Sequence, residues 1–162
     1  MPDKIISQLA SDLLSKCSAS NLKIATAESC TGGLIAGALT EIAGSSDVFE
    51  RGFVTYSNDA KMQMLGVSSK SLDLFGAVSE AVAKEMAYGA LVNSMADLSV
   101  AVTGVAGPSG GTALKPVGTV WIATCVMGQA PEAVLHKFGD IGRENVRMET
   151  VNKALSMLLD RV

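Results

Sequence analysis

Lys23-Ile-Ala-Thr-Ala-Glu-Ser-Cys-Thr-Gly-Gly33 passes from a short apolar run to a polar cluster and then to paired glycines. Lys23 to Ala27 reads as a strand. Glu28 to Gly33 reads as the polar connection, and Leu34, Ile35, Ala38, Leu39 and Ile42 recur at helical spacing until Gly44 stops them. A strand feeding a glycine-opened helix is the building block of an open α/β sheet, whose ligands gather at the carboxyl ends of its strands.

Outward from this stretch the pattern repeats. Ile5, Leu9, Leu13 and Leu14 predict a first helix ending near Ser18 to Asn21. Gly52 to Tyr56 reads as a strand, and Ser57 or Asn58 as the cap of a helix reaching about Leu65. Ser79 caps a helix carrying Val82, Met86 and Leu91 inward. Leu98 to Thr103 is an apolar strand, and Gly104 to Pro116 a loop rich in glycine and proline. Val117 to Met127 and Ala133 to Phe138 are two strands in succession, and Val146, Val151, Ala154, Leu155 and Leu158 mark a final helix. The expectation is one domain over 1–162: a three-layer α/β/α fold with a mixed, mostly parallel sheet and one antiparallel hairpin near its end.

Composition narrows the function. Apolar residues make up 48% of the 162, and the formal net charge is -3, so no general attraction to nucleic acid is expected. No apolar run reaches the roughly 18 residues of a membrane helix, and the first residues lead straight into an amphipathic pattern without a signal peptide. Cys17, Cys30 and Cys125 are scattered and lack zinc-ligand spacing, which fits a reducing cytosol. No carboxylate cluster calls for a metal, and no cofactor is expected.

Three junctions could carry chemistry. At the first, Ser29 is either a nucleophile or a helix cap, and the glycines let a ligand approach backbone N–H groups able to bind an oxyanion. Cys30 is a competing nucleophile, since thiols need less activation. The single histidine, His136, falls in a predicted strand and makes a poor base for Ser29. Lysine is the other candidate. Lys61, in the first turn of the helix after Tyr56, sits where the helix dipole disfavours its charge; otherwise it is a solvated lysine and Tyr56 a core aromatic. Glu28 or Asp59 could hold that lysine or order the loop. The third junction, Thr103-Gly-Val-Ala-Gly-Pro-Ser-Gly-Gly-Thr112, is a backbone cradle or a surface turn, and it lacks the Lys-Ser/Thr ending of a Walker loop. Arg143 and Arg147, near the start of the last helix, could pair with phosphate.

Thr26-Ala-Glu-Ser-Cys-Thr-Gly-Gly33, Phe49-Glu-Arg-Gly-Phe-Val-Thr-Tyr-Ser-Asn58, Gly76-Ala-Val-Ser79, Gly104-Val-Ala-Gly-Pro108 with Gly110-Gly111, and Lys115-Pro-Val-Gly-Thr-Val120 occur in this order. Together they resemble the C-terminal domain family of the competence/damage-inducible protein CinA, over about residues 5 to 160. Thr103 stands where serine is common in that family, and Gly139-Asp-Ile-Gly-Arg143 is longer than the Gly-Asp-Arg form of some members. The N-terminal domain of larger members, which resembles molybdopterin-binding proteins, has no counterpart in these blocks.

Stand-alone members are nicotinamide-nucleotide amidases, so the resemblance implies hydrolysis of nicotinamide mononucleotide to nicotinate mononucleotide and ammonia. Carried over by motif, Ser29 is the nucleophile, completed by Tyr56 and Lys61. Cys30, Thr31, Gly32 and Gly33, with Thr103, Gly104, Gly107, Gly110, Gly111 and Arg143, become the substrate-facing walls. The expected setting is cytoplasmic and homo-oligomeric, with a small-molecule substrate. The alternative is a non-catalytic nucleotide-binding or competence-related regulatory module.

Overall fold

The computed structural model describes residues 3–162. Its elements, in chain order, are α1 (Lys4–Ala19), β1 (Ile24–Glu28), α2 (Leu34–Thr40), β2 (Phe49–Val54), α3 (Asn58–Leu65), α4 (Ser69–Phe75), α5 (Glu80–Val92), β3 (Leu98–Gly104), β4 (Thr119–Val126), β5 (Glu132–Lys137) and α6 (Arg143–Leu159). A short 3-10 turn, Ser45–Asp47, precedes β2.

The sheet order is β2-β1-β3-β4-β5. β1 pairs in parallel with both β2 and β3, while β4 runs antiparallel to β3 and β5. Only β4 therefore opposes the common direction, which is the expected mixed, mostly parallel sheet. The chain moves from β1 to one side for β2 and to the other for β3, so the carboxyl end of β1 lies at a topological switch point.

Side-chain alternation along β1 separates two cores. Ile24 joins Val100, Val102, Val120 and Ile122 beneath α1, α2 and α6, packed against Leu13, Ile35, Leu39 and Leu155. Ala25 and Ala27 turn the other way and, with Ala101 and Ala123, meet Ala83, Met86, Ala87 and Ala90 of α5. Small residues on both surfaces let α5 lie close to the sheet.

Local signals set most boundaries. Asp3 caps α1, its Oδ1 accepting from the amides of Ile5 (2.8 Å) and Ile6 (3.3 Å). Ser57, rather than Asn58, caps α3, with Oγ accepting from Ala60 N–H at 3.0 Å. β2 begins at Phe49, before the predicted Gly52, and stops at Val54, so Tyr56 lies beyond the strand. Helix α4 has no counterpart in the sequence reading. Only Leu72 of its seven residues is buried, while Leu74 and Phe75 are exposed, so it carries no apolar stripe to read.

Candidate active site

β1, β2 and β3 end side by side, and each end delivers one part of the site. Ser29 is the first residue past β1. Its N–H donates to Val102 O (3.1 Å), and its carbonyl accepts from Gly32 N–H (3.0 Å), closing a tight turn before α2. Gly33 takes a left-handed φ of 109°, a conformation that strains any side chain, and α2 starts immediately after it.

Lys61 lies one turn into α3 and is 1% exposed. Its Nζ sits 3.0 Å from Ser29 Oγ, 2.9 Å from Thr55 O and 3.1 Å from Tyr56 O. No carboxylate among the described residues pairs with it, although buried lysines are normally paired. Desolvation pulls its pKa below the ordinary lysine value. The neutral amine fits its three partners well: two N–H groups for the two carbonyls, and a lone pair for the Ser29 hydroxyl.

This burial has a consequence for stability. With the folded-state pKa below the unfolded one, the unfolded chain holds more protons between the two values, and stability rises with pH across that window. Below it the full cost of burying the charge is felt. Denaturant titrations from neutral pH to about pH 9 should show wild type gaining on Lys61→Met as pH rises. A constant difference would mean that Lys61 is not depressed.

The lysine and serine open into a pocket of about 370 Å³, which Cys30, Tyr56, Asn58, Ala77, Val78, Thr103, Gly104, Gly107, Gly110 and Arg143 also line. Thr103 Oγ1 donates to Ala77 O (2.9 Å), tying the end of β3 to the segment before α5. Arg143 crosses the mouth. Its Nη1 donates to Gly107 O (2.7 Å) and its Nη2 to the Tyr56 hydroxyl (3.3 Å). An adjoining hollow of about 530 Å³ shares Ser109 and Gly110 and adds Gly111, Lys137 and Asp140, but holds none of the reactive groups.

The pocket thus brings together Ser29, Cys30, Tyr56, Lys61, Thr103, Gly104, Gly107, Gly110 and Arg143, while Gly111 faces the neighbouring hollow. Thr31, Gly32 and Gly33 contribute no side chain to the pocket lining. The Thr31 hydroxyl is spent on Glu28 Oε1 (2.5 Å), Gly32 faces Arg147, and Gly33 faces Val54. The Tyr56 phenol is exposed and meets Arg143, and only the Tyr56 carbonyl reaches Lys61. Burial pushes the Cys30 thiol up to about 11, which keeps it protonated. His136 lies on edge strand β5, stacked on Phe138 and outside the pocket lining.

Two charged residues have roles that their spacing did not disclose. Glu28 is 1% exposed and binds the turn and α2 rather than Lys61. Arg147 binds the carbonyls of Cys30 and Thr31, not an open anion site. A carboxylate ending an otherwise apolar strand, and an arginine one turn after Arg143, were the available signals.

The profile of the CinA C-terminal domain matches residues 6–162. The chain belongs to the CinA C-terminal domain family. Among its relatives in that family, the nicotinamide-nucleotide amidohydrolase PncC of Enterobacter agglomerans is 48% identical over 98% of this chain and 96% of its own. PncC of Escherichia coli K12 is 54% identical over 76% of this chain and 74% of its own. A CinA-like protein of Colwellia psychrerythraea is 61% identical over 71% of this chain, but the match spans only 27% of that longer protein. The competence/damage-inducible protein CihA of Agrobacterium tumefaciens, a crystal structure, superposes with a TM-score of 0.97 at 52% identity, covering 99% of this chain and 97% of that one. A CinA superfamily protein of Escherichia coli gives 0.93 at 41% identity, covering 100% and 94%.

Proposed function

We propose that this protein hydrolyses the carboxamide of nicotinamide mononucleotide, releasing ammonia and nicotinate mononucleotide, as a step of pyridine nucleotide salvage. The observation that carries this reading is Lys61 Nζ at 3.0 Å from Ser29 Oγ, buried and free of any carboxylate partner. The names of the PncC relatives supply the substrate.

In the first step neutral Lys61 takes the Ser29 proton as Oγ adds to the carboxamide carbon. The oxyanion is met by backbone N–H groups at Cys30 and Thr31, which find no acceptor among the described residues. The resulting ammonium of Lys61 returns its proton to the leaving nitrogen, the C–N bond breaks, and ammonia departs. Water, activated by the same amine, then splits the nicotinoyl ester and restores Ser29. The Thr55 and Tyr56 carbonyls keep Lys61 aimed through both steps. Tyr56 also contributes its phenol to the mouth beside Arg143, where it can steady the bound substrate.

Arg143 is placed to receive the nucleotide phosphate, assisted by glycine-loop amides. Ammonia release from nicotinamide mononucleotide, nicotinamide riboside and nicotinamide, measured in parallel, tests the reading. The nucleotide should be turned over far better than the other two. Arg143→Met should raise KM for the nucleotide about 10–100-fold, the value of a charged hydrogen bond, and leave the riboside unaffected. Tight nucleotide binding without ammonia would overturn the amidase in favour of a regulatory module.

The reading also carries a cytoplasmic setting, supported by three free cysteines, and self-association, supported by the exposed Leu74, Phe75 and Leu114. No helix among the described residues is long and apolar enough to cross a membrane.

A further inference from the structure

The turn that carries Ser29 is gripped from two sides by opposite charges that form no ion pair. On one side Arg147, half-buried on α6, donates Nε to Cys30 O (3.1 Å) and Nη2 to Thr31 O (3.2 Å). On the other, buried Glu28 accepts from Thr31 Oγ1 (2.5 Å), Ile35 N–H (2.9 Å) and Ala36 N–H (3.0 Å). The N-cap of α2 is Gly33, which has no side chain to offer, so Glu28 does the capping from the end of β1.

The geometry of the peptide bond turns this grip into a direction. C=O and N–H of a trans peptide point opposite ways in one plane. With both carbonyls drawn toward Arg147, the N–H groups of Thr31 and Gly32 must face away from α6. The Gly32 N–H meets this requirement by landing on Ser29 O. The Thr31 N–H is aimed by the same constraint and has no acceptor of its own among the described residues.

We propose that Glu28 and Arg147 are positioning residues that aim the Thr31 backbone amide of the Ser29 turn at the developing oxyanion and so set kcat rather than KM. Neither touches substrate. The inference rests on Ser29 being the nucleophile, and it assigns to Arg147 a role different from phosphate binding. Arg143, one helical turn earlier on α6, reaches the glycine loop instead.

The test compares Arg147→Met, Arg147→Lys and Glu28→Gln with wild type in steady-state kinetics on nicotinamide mononucleotide. Arg147→Met should lower kcat about 10²-fold, the usual effect of losing one aimed oxyanion donor, with KM within about twofold. Arg147→Lys, which can restore one of the two contacts, should recover part of the loss. The midpoint of the pH profile should stay in place, because Lys61 is untouched. An increase in KM with kcat intact would make Arg147 a substrate-binding cation and overturn the proposal, as would a shifted midpoint at unchanged kcat. If Arg147→Met does not fold, Glu28→Gln, which keeps the shape of the side chain, must show the same fall in kcat. Labelling of Ser29 by a fluorophosphonate separates the two levels of the claim. Wild type that is labelled but releases no ammonia overturns the amidase reading alone, and slower labelling of Arg147→Met then still supports the clamp. Equal labelling rates would overturn the clamp.

Discussion

Ser29→Ala and Lys61→Met are each expected to cut ammonia release from nicotinamide mononucleotide by about 10⁴-fold or more, and the double variant to lose little beyond that. The reason is that in the proposed mechanism the two side chains act as one unit. Without the Ser29 hydroxyl, the amine has no proton to take. Without the amine, nothing else among the described residues lies within hydrogen-bond reach of Oγ. Additive losses would mean that each residue works in a separate step. Cys30→Ala is the control: its thiol lines the same pocket but stays protonated, so turnover should persist. The pH profile adds a second readout. The proposed mechanism requires the neutral amine, so kcat/KM should rise with pH through the Lys61 pKa. Burial places that rise below the ordinary lysine range. A rise only near the ordinary value would show that Lys61 is solvated.

The second large effect is on stability. Gly89→Ala should destabilise the fold by about 3 kcal/mol, although alanine in a helix is ordinarily worth about 1 kcal/mol more than glycine. A Cβ at Gly89 would lie 1.9 Å from the carbonyl oxygen of Leu65 and 3.0 Å from its Cα. Those are backbone atoms, so no rotamer change relieves the clash, and α5 must move away from the end of α3. At 2–4 °C per kcal/mol for a chain of this size, the melting temperature should fall by roughly 10 °C. Because α3 also carries Lys61, what remains folded should turn over more slowly. An unchanged melting curve would overturn the close helix contact.

Much of the fold could be read along the chain because its signals are local. Ile24 to Ala27 and Leu98 to Thr103 are mostly apolar runs broken only by Thr26, Ser99 and Thr103, as fits strands buried on both faces. Ser57 and Ser79 announce α3 and α5. The pairing of Ser29 with Lys61 was within reach because adjacent parallel strands end together. What stayed hidden depends on direction rather than spacing. The position of Tyr56 does not reveal that its carbonyl, and not its phenol, faces Lys61. The family resemblance implies Thr31 to Gly33 as a substrate wall, yet the Thr31 hydroxyl is taken by Glu28, Gly32 faces Arg147 and Gly33 faces Val54. Arg147 itself lies more than a hundred residues from the turn it holds, so only the packing of α6 on the sheet could reveal it.

That last contact also fixes an order of events. Ser29 lies just past β1 and Lys61 on α3, both in the first half of the chain. The arginines at the mouth and behind the turn both belong to α6, which packs against α1 at the opposite end of the chain. On the inferred role of Arg147, the site is complete only once α6 has docked on the turn that carries Ser29.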